Sequence, residues 1–273
     1  MKLAKWAVWF PMLPGLLGYG LFFLFPVILV FSEALSAPLE TFNRMISDSY
    51  LLSSIGGSLV LAGSASLMSL IVALFIAYFL SQTSSRMRQW LSIAIALPLV
   101  FSGLIVAYGF ILTFGRAGFV TQLLGQIGIP EGQFGNVIFT PVGLAMAYCY
   151  YLIPRAVFIL LPVMLSFDWQ QMKVSESFGA NRWQSYRYVF LPQLYPAMIT
   201  SLCVMVSVAL GAYGTALALS GTQLNILPLA IYSKISDGGT DFPVVGMLSL
   251  LLVGLCVLFT LLADKLKQRL EAI

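Results

Sequence analysis

The segment "VSESFGANRWQSYRYVFLP" (residues 174–192) is polar, aromatic and partly basic, and it lies between two long apolar runs. Only 9% of the 273 residues are charged, whereas 60% are hydrophobic and the mean hydropathy is +0.95. A soluble domain of this length needs a mostly polar surface, so the composition predicts that the chain folds in a lipid bilayer. The polar segment then needs an explanation, because a short loop is enough to join two membrane helices.

Six apolar windows are long enough to cross a bilayer, since about 20 residues at 1.5 Å each span a hydrocarbon core of ~30 Å. The predicted spans are residues 12–31, 58–80, 91–114, 137–165, 195–219 and 242–263. Backbone groups in lipid must be paired within the segment, and the alternating pattern of barrel strands is absent. The sequence therefore predicts an all-α integral membrane protein with six transmembrane helices, forming a single domain over residues 1–273.

Basic residues predict the orientation of these spans. With both termini in the cytoplasm, ten Lys and Arg residues beside the spans face inside and three face outside, as the positive-inside rule requires. The inside set is Lys2, Lys5, Arg86, Arg88, Lys173, Arg182, Arg187, Lys265, Lys267 and Arg269, and the outside set is Arg44, Arg116 and Lys234. The apolar run over residues 6–31 is too long for the core of a signal peptide, so we expect a retained helix.

Several kinds of chemistry are excluded by the residues that the sequence lacks. It contains no histidine, which removes the metalloprotease pair, the serine triad and the usual proton shuttle. It also has no phosphate-binding G-x-x-x-x-G-K-[ST] loop. Cys149, Cys203 and Cys256 all fall within predicted spans, where cysteine usually acts as a small apolar packing residue. We predict no catalytic residue, no metal and no cofactor in this chain.

Two further features concern packing and the outer connections. In the second span Ala65, Ser69, Ala73 and Ala77 recur every fourth residue, a ridge that lets a neighbouring helix approach closely. The glycine-rich segment 115–136 is mildly amphipathic, which suits a surface helix or a re-entrant turn. We expect a similar arrangement over residues 220–241.

The opening segment has the local signals of a helix, a turn and a second helix. Residues 166–178 predict a short helix with Asp168 in its first turn, and Gly179 ends it. Asn181 is the expected cap of the second helix, and Pro192 marks the entry to the fifth span. Aromatic residues recur at helical spacing along that second helix: Trp183, Tyr186 and Phe190. Composition alone is also compatible with an interfacial element that rests Arg182 and Arg187 on anionic lipid.

The spacing within the segment resembles that of permease subunits of ATP-binding-cassette (ABC) importers. Their cytoplasmic loop reads E-A-A, three residues, Gly, nine residues, Ile, one residue, Leu-Pro. Here nine residues separate Gly179 from Val189, and Leu191 and Pro192 follow Phe190. The E-A-A positions instead hold Lys173, Val174 and Ser175. The resemblance is greatest to permeases of the spermidine, thiamine, ferric-ion and aminoethylphosphonate group.

The resemblance implies a division of labour and a set of partners. Two permease subunits, with a second copy or a different chain as the other half, form the pathway in the bacterial inner (plasma) membrane. Two cytoplasmic ATPases bind ATP and Mg, and a periplasmic or extracellular binding protein delivers the solute. Residues 168–192 are then the coupling segment that docks the ATPase. Its expected contact residues are Lys173, Ser175, Glu176, Gly179, Ala180, Arg182, Trp183, Leu191 and Pro192. Glu176, on a neighbouring face, is the candidate replacement for the missing family glutamate.

The alternative class is a channel or a secondary transporter that acts without an ATPase. None of the ten Asp and Glu residues lies near the middle of a predicted span, so no site for coupling to protons or sodium is apparent. A channel remains compatible with the composition, although it would not need the coupling segment.

Arg155 is the one charge deep within a predicted span. In "YCYYLIPRAVFILLP" (residues 148–162) it lies about 15 Å from the inner end of the fourth helix, where desolvating a guanidinium costs at least ~2.5 kcal/mol. Pro154 lacks an N–H and frees the carbonyl of Tyr150. Arg155 either bonds carbonyls or a partner chain, or it lines the solute pathway with Tyr151, Pro154 and Tyr213. In the second case we expect an anionic solute, such as a phosphonate, in preference to a polyamine, thiamine or ferric ion.

Overall fold

The computed structural model describes residues 12–128, 130–236 and 241–271, and these residues form helices without any strand. The helices are α1 (Leu13–Ala34), α2 (Pro38–Ser47), α3 (Ser49–Gln82), α4 (Ser85–Ala96), α5 (Gly103–Phe114), α6 (Phe119–Gln126), α7 (Glu131–Phe134), α8 (Pro141–Ser166), α9 (Gln170–Ser177), α10 (Arg182–Leu210), α11 (Tyr213–Ser220), α12 (Leu227–Ser236) and α13 (Phe242–Glu271). Two of them contain one π-helical turn each, Gly20–Leu24 in α1 and Tyr186–Phe190 in α10.

Six segments of the described residues are long and apolar enough to cross a membrane, which confirms the predicted number of spans. They are Leu13–Ala34, Ser49–Gln82, Gly103–Gln126, Pro141–Ser166, Arg182–Leu210 and Phe242–Arg269. Polar residues set several of their starts. The Asp48 side chain accepts a hydrogen bond from the Tyr50 N–H at 2.9 Å and so caps α3. Pro141 occupies the first turn of α8, where its missing N–H has no consequence.

The third span differs from its prediction as one continuous helix over residues 91–114. Helix α4 ends at Ala96, a 3₁₀ turn covers Leu97–Leu99, and α5 begins only at Gly103. Pro98 cannot donate a backbone hydrogen bond, and the Ser102 hydroxyl accepts from the Ile105 N–H at 3.4 Å, which starts a new helix.

The fifth span is also interrupted, within the predicted range 195–219. Helix α10 begins before that range, at Arg182, and ends at Leu210. The chain turns at Gly211 and Ala212, where the Tyr213 N–H bonds the Gly211 carbonyl at 2.9 Å, before α11 begins. The carbonyl of Ala212 is held by the Tyr148 hydroxyl, which donates to it at 3.1 Å.

The core forms where α3 packs along α8, with α10 against both. The four small residues of the predicted ridge are all fully buried, and this packing role is confirmed: Ala65, Ser69, Ala73 and Ala77. Their size allows close approach of α8, whose Leu144, Ala147 and Leu152 are also fully buried. Packing of small side chains therefore holds the centre of the protein together.

The two outer segments form short helices. Residues 115–136 contain α6 and α7, and residues 220–241 contain α12, which is packed through its buried Leu227 and Leu229. Ion pairs join this region to the end of α2 and the start of α3: Lys234 Nζ lies 3.4 Å from an Asp48 carboxylate oxygen, and Arg44 Nη1 lies 3.4 Å from one of Asp241. Two of the three basic residues of the predicted outer face, Arg44 and Lys234, therefore lie near the start of α3.

Candidate functional site

The coupling segment has the predicted helix, turn and second helix. The Asp168 side chain accepts a hydrogen bond from the Gln170 N–H at 2.9 Å and starts α9. Gly179 follows the end of α9 with φ +91°, a conformation that side chains rarely adopt. Asn181 then forms a capping box: it accepts from the Gln184 N–H, and the Gln184 side chain accepts from the Asn181 N–H, both at 2.8 Å.

The second helix of the segment is not a separate element. It continues through the π-helical turn Tyr186–Phe190 into the fifth span, so that α10 is one helix of 29 residues. At 1.5 Å per residue, α10 extends for about 43 Å from the coupling segment to the break at Gly211. Displacement of its first turn is therefore carried into the membrane by a continuous helix.

A pair of serines fixes the two helices of the segment to each other. The Ser175 and Ser185 hydroxyl oxygens lie 2.6 Å apart, and Ser185 is fully buried between the helices. The Met172 carbonyl accepts a hydrogen bond from the Ser175 hydroxyl at 2.7 Å. The Asn181 carbonyl accepts one from the Ser185 hydroxyl at 3.2 Å. Glu176 and Arg182 also approach each other across the turn, at 4.0 Å, but both are exposed and such a pair contributes little.

An aromatic block joins the segment to α3, and its members are Tyr78, Phe167, Trp169, Tyr186 and Phe190. The Tyr78 and Tyr186 hydroxyl oxygens lie 2.7 Å apart. The Trp169 and Phe190 ring centroids are 5.2 Å apart, and Phe167 meets Phe190 at 5.0 Å. Sequence reasoning did not assign a site role to Tyr78. The signal that could have revealed it is a hydroxyl within the apolar stretch "FIAYFL" (residues 75–80), because a buried tyrosine hydroxyl usually has a hydrogen-bond partner.

The predicted contact residues fall into two groups. Exposed residues of the segment are Lys173, Glu176, Gly179, Arg182, Trp183 and Pro192, whereas Ser175, Ala180 and Leu191 are half-buried. Leu191 and Pro192 belong to α10 beyond the π-helical turn, so they lie away from the turn at Gly179. Phe178, which sequence reasoning did not select, is 87% exposed beside that turn. Trp183 and Val174 are also exposed, which gives the tip of the segment an apolar surface.

Three of the four predicted pathway residues line one cavity of about 430 Å³. Arg155 and Tyr151 come from α8, and Tyr213 comes from the start of α11. Both interruptions of the predicted spans border the same cavity, the first through Pro98, Leu99 and Phe101 and the second through Gly211 and Ala212. Pro154 is buried in the helix packing, and α8 is continuous through it, so the loss of its hydrogen bond to the Tyr150 carbonyl does not break the helix.

Arg155 is half-buried and its guanidinium makes neither a hydrogen bond nor an ion pair with any residue that the structure describes. Bonds to carbonyls of a neighbouring helix, one of the three roles considered for it, are therefore not formed within this part of the chain. The Tyr151 hydroxyl lies beside the Thr215 side chain but has no hydrogen bond of good geometry among the described residues. The Tyr151 hydroxyl oxygen is buried, so the unpaired Arg155 guanidinium is the group of this pair that the cavity offers to a solute.

Comparison with known proteins identifies the class to which this fold and segment belong. A family model described as "Binding-protein-dependent transport system inner membrane component" matches residues 65–272. The chain belongs to this family. It is a permease subunit of the ABC importer class and a multi-pass protein of the bacterial inner membrane.

Individual relatives are distant in sequence but match over most of this chain. The sulfate transport system permease protein CysW of Escherichia coli (strain K12) is 25% identical over 270 residues, 98% of this chain and 90% of that protein. The thiamine transport system permease protein ThiP of the same strain is 26% identical over 237 residues, 85% of this chain and 43% of that one. A chain in the crystal structure of a bacterial alginate ABC transporter, in complex with its alginate pentasaccharide-bound periplasmic protein, superposes with a TM-score of 0.72 over 97% of this chain and 95% of that chain. At 18% identity this last likeness shows the fold alone.

Proposed function

We propose that a cytoplasmic ATPase drives this permease by docking on the coupling segment, residues 168–192. ATP and Mg are bound, and ATP is hydrolysed, by that partner and not by this chain. A second permease subunit, identical or different, completes the pathway, and an external binding protein delivers the solute. The observation that carries the proposal is the exposed apolar tip on an otherwise polar and rigid segment.

The tip has the properties of a docking surface. Phe178 is 87% exposed and Trp183 is 71% exposed, next to the exposed Lys173 and Arg182. Aromatic side chains bury roughly 150–250 Å² each when a partner covers them, and such anchors dominate protein interfaces. The interfacial alternative places the same rings among lipid headgroups, and it gives no reason for the capping box and the Ser175–Ser185 pair, which fix the shape of the turn.

The segment is attached firmly enough to transmit motion. The aromatic block ties it to α3, while α10 continues from it into the membrane. A displacement of the tip therefore moves two membrane helices together instead of bending a loop. This is the physical requirement for coupling an ATPase to a pathway that lies tens of ångströms away.

The positions of the basic residues support the proposed orientation, with both termini in the cytoplasm. Arg86 and Arg88 lie at the same end of α3 as Tyr78 and the coupling segment, whereas Arg44 and Lys234 lie near its start. The helix has 34 residues, so the two groups of charges are separated by about 50 Å. Lys2 and Lys5, which contribute to the inside count, lie outside the described residues.

The solute that this cavity favours is small and anionic. Arg155 is its only charged lining residue in the part of the chain that the structure describes. The relative named for sulfate concerns an anion, which agrees with this preference, whereas the relative named for thiamine does not. The phosphonate expected from the sequence gains no support from these comparisons.

Reconstitution distinguishes this function from a channel or a secondary transporter. The chain should be purified with an affinity tag on its C-terminus, its partners identified by mass spectrometry, and the complex placed in liposomes. We expect an ATPase and a second permease subunit in the complex, and solute uptake that requires ATP on the side of the coupling segment. Complexes with a hydrolysis-deficient ATPase are the control. Solute flux by the chain without an ATPase would contradict the proposal.

A further inference from the structure

The cavity at Arg155 is the meeting point of two helix N-termini. Helix α5 begins at Gly103 and α11 begins at Tyr213, and the first residues of both line the cavity. The two starts touch each other: a Cβ added at Gly103 would overlap the Thr215 hydroxyl, and one at Gly214 would lie 3.8 Å from the Leu104 nitrogen. Glycine at position 103 is therefore what allows both helix starts to face one cavity.

These helix starts make the cavity electropositive. The first N–H groups of a helix have no partner within the helix, and its N-terminus carries about half a positive charge. The Ser102 hydroxyl caps α5, whereas no side chain caps α11, a helix that lies wholly within the described residues. Arg155 adds a full charge, and the described lining contains no Asp or Glu to neutralise it.

We propose that this cavity is a binding site for a small oxyanion. Arg155 is the bidentate partner of two of its oxygens. The Gly214 and Thr215 N–H groups at the start of α11 and the Thr215 hydroxyl are donors for the others. The oxyanion is either an inorganic ion, such as sulfate, or the anionic group of a small organic solute. The role of this site in transport rests on the proposed function. Binding of the oxyanion itself does not require the ATPase.

The helices that line the cavity also connect it to the coupling segment. One wall is the end of α10, the helix that begins in the coupling segment, and another is α8, which leads to the same segment at Ser166. In this proposal, movement of the segment shifts α10, and α11 turns relative to Arg155 about the break at Gly211 and Ala212. A change in the distance between Arg155 and the start of α11 alters the affinity for an anion held between them.

Thiol labelling measures the electrostatic potential of this site without knowledge of the solute. Cys149, Cys203 and Cys256 are replaced by Ala, and Leu99→Cys is introduced, because Leu99 lines the cavity and is 36% exposed. The chain is purified with its co-purifying subunits in lipid nanodiscs. Its reaction rates are measured with an anionic and a cationic methanethiosulfonate of similar size. Ala212→Cys, also in the cavity lining, is labelled in parallel.

We expect the anionic reagent to react faster than the cationic one. Arg155→Gln should reduce the anionic-to-cationic rate ratio about tenfold, because that is the effect of removing one nearby charge at an intermediate dielectric. Arg116→Gln is the matched control and should leave the ratio unchanged, because Arg116 is bound to Asn136 in the outer segment, at 2.7 Å. Millimolar sulfate, phosphate or molybdate should slow labelling, whereas chloride at equal ionic strength should not. Protection by an inorganic ion identifies an inorganic solute, and protection only by small phosphate esters identifies an organic one.

Three results would overturn the proposal. The first is an equal rate ratio in Arg155→Gln and its parent. The second is labelling that no oxyanion or phosphate ester slows. The third is a failure of both cysteine positions to react, which would mean that solutes do not reach the cavity. Failure of the ATPase assignment would be seen instead in the reconstituted complex and would leave these labelling results intact.

Discussion

The hydroxyl oxygens of Tyr78 and Tyr186 lie 2.7 Å apart, although 108 residues separate them in the chain. Tyr78 belongs to the central helix α3, and Tyr186 belongs to the first turns of α10 just beyond the capping box. Their rings also meet edge to face, with centroids 6.3 Å apart. This pair is thus a direct polar link between the coupling segment and the end of the central helix α3.

Tyr186→Phe should weaken coupling while the protein remains folded. The change removes one hydrogen bond, worth about 1 kcal/mol, and keeps the aromatic packing. We expect a several-fold fall in the ratio of solute transported to ATP hydrolysed, measured in liposomes at equal protein levels. Tyr188→Phe is the control, because Tyr188 is 71% exposed. Equal ratios in the two variants would show that the link does not contribute to coupling.

Gly179→Ala should impair transport because it strains the backbone at the turn, and not because the new side chain clashes with a neighbour. Nothing lies within 4 Å of a Cβ at this position, but φ is +91°, where a side chain costs on the order of 1 kcal/mol. Asn tolerates positive φ better, so Gly179→Asn should be milder than Gly179→Ala, and Gly179→Trp should resemble Ala. Gly254→Ala, in open space within α13, is the control. Normal uptake by Gly179→Ala and Gly179→Trp would contradict a fixed turn angle.

Gly103→Ala should separate the two helix starts at the cavity. A Cβ at Gly103 overlaps the Thr215 hydroxyl, whereas a Cβ at Gly109 of the same helix meets nothing within 4 Å. Overpacking of this kind typically costs about 1–3 kcal/mol. We expect a lower thermal unfolding midpoint for Gly103→Ala and an unchanged or slightly higher one for Gly109→Ala, measured by tryptophan fluorescence. The same midpoint in both variants would mean that α5 and α11 do not touch.

We expect transport to require the positive charge of Arg155. Arg155→Gln should lose most activity, while Arg155→Lys should retain part of it, because Lys keeps the charge but not the bidentate fork. Uptake is compared at equal membrane levels, with Arg116→Gln as the control. Unchanged uptake in Arg155→Gln would show that Arg155 does not contribute to the solute pathway.

The sequence was sufficient for the features that depend on local chemistry. Apolar runs revealed six spans, and Gly179 and Asn181 marked the turn and the cap in the coupling segment, because each of these signals acts over one or two helical turns. The break at residues 97–102 was missed because the residues on both sides of it and within it are mostly apolar, and because Pro98 alone does not end a membrane helix. The break at Gly211 has no polar residue to reveal it. The contact of Tyr78 with Tyr186, and the meeting of Gly103 with Thr215, depend on tertiary packing that no single-sequence pattern encodes.

Retention of the ATPase by the complex tests the central claim most directly. Phe178→Glu places a charge on the exposed tip of the coupling segment, where burial against a partner would be strongly unfavourable. Ile127→Glu is the matched control, because Ile127 is 73% exposed in the outer segment. Both tagged variants are purified from membranes, and the amount of co-purifying ATPase is measured per permease. The account predicts at least a tenfold loss of ATPase for Phe178→Glu and none for Ile127→Glu. Full retention of the ATPase by Phe178→Glu would contradict it.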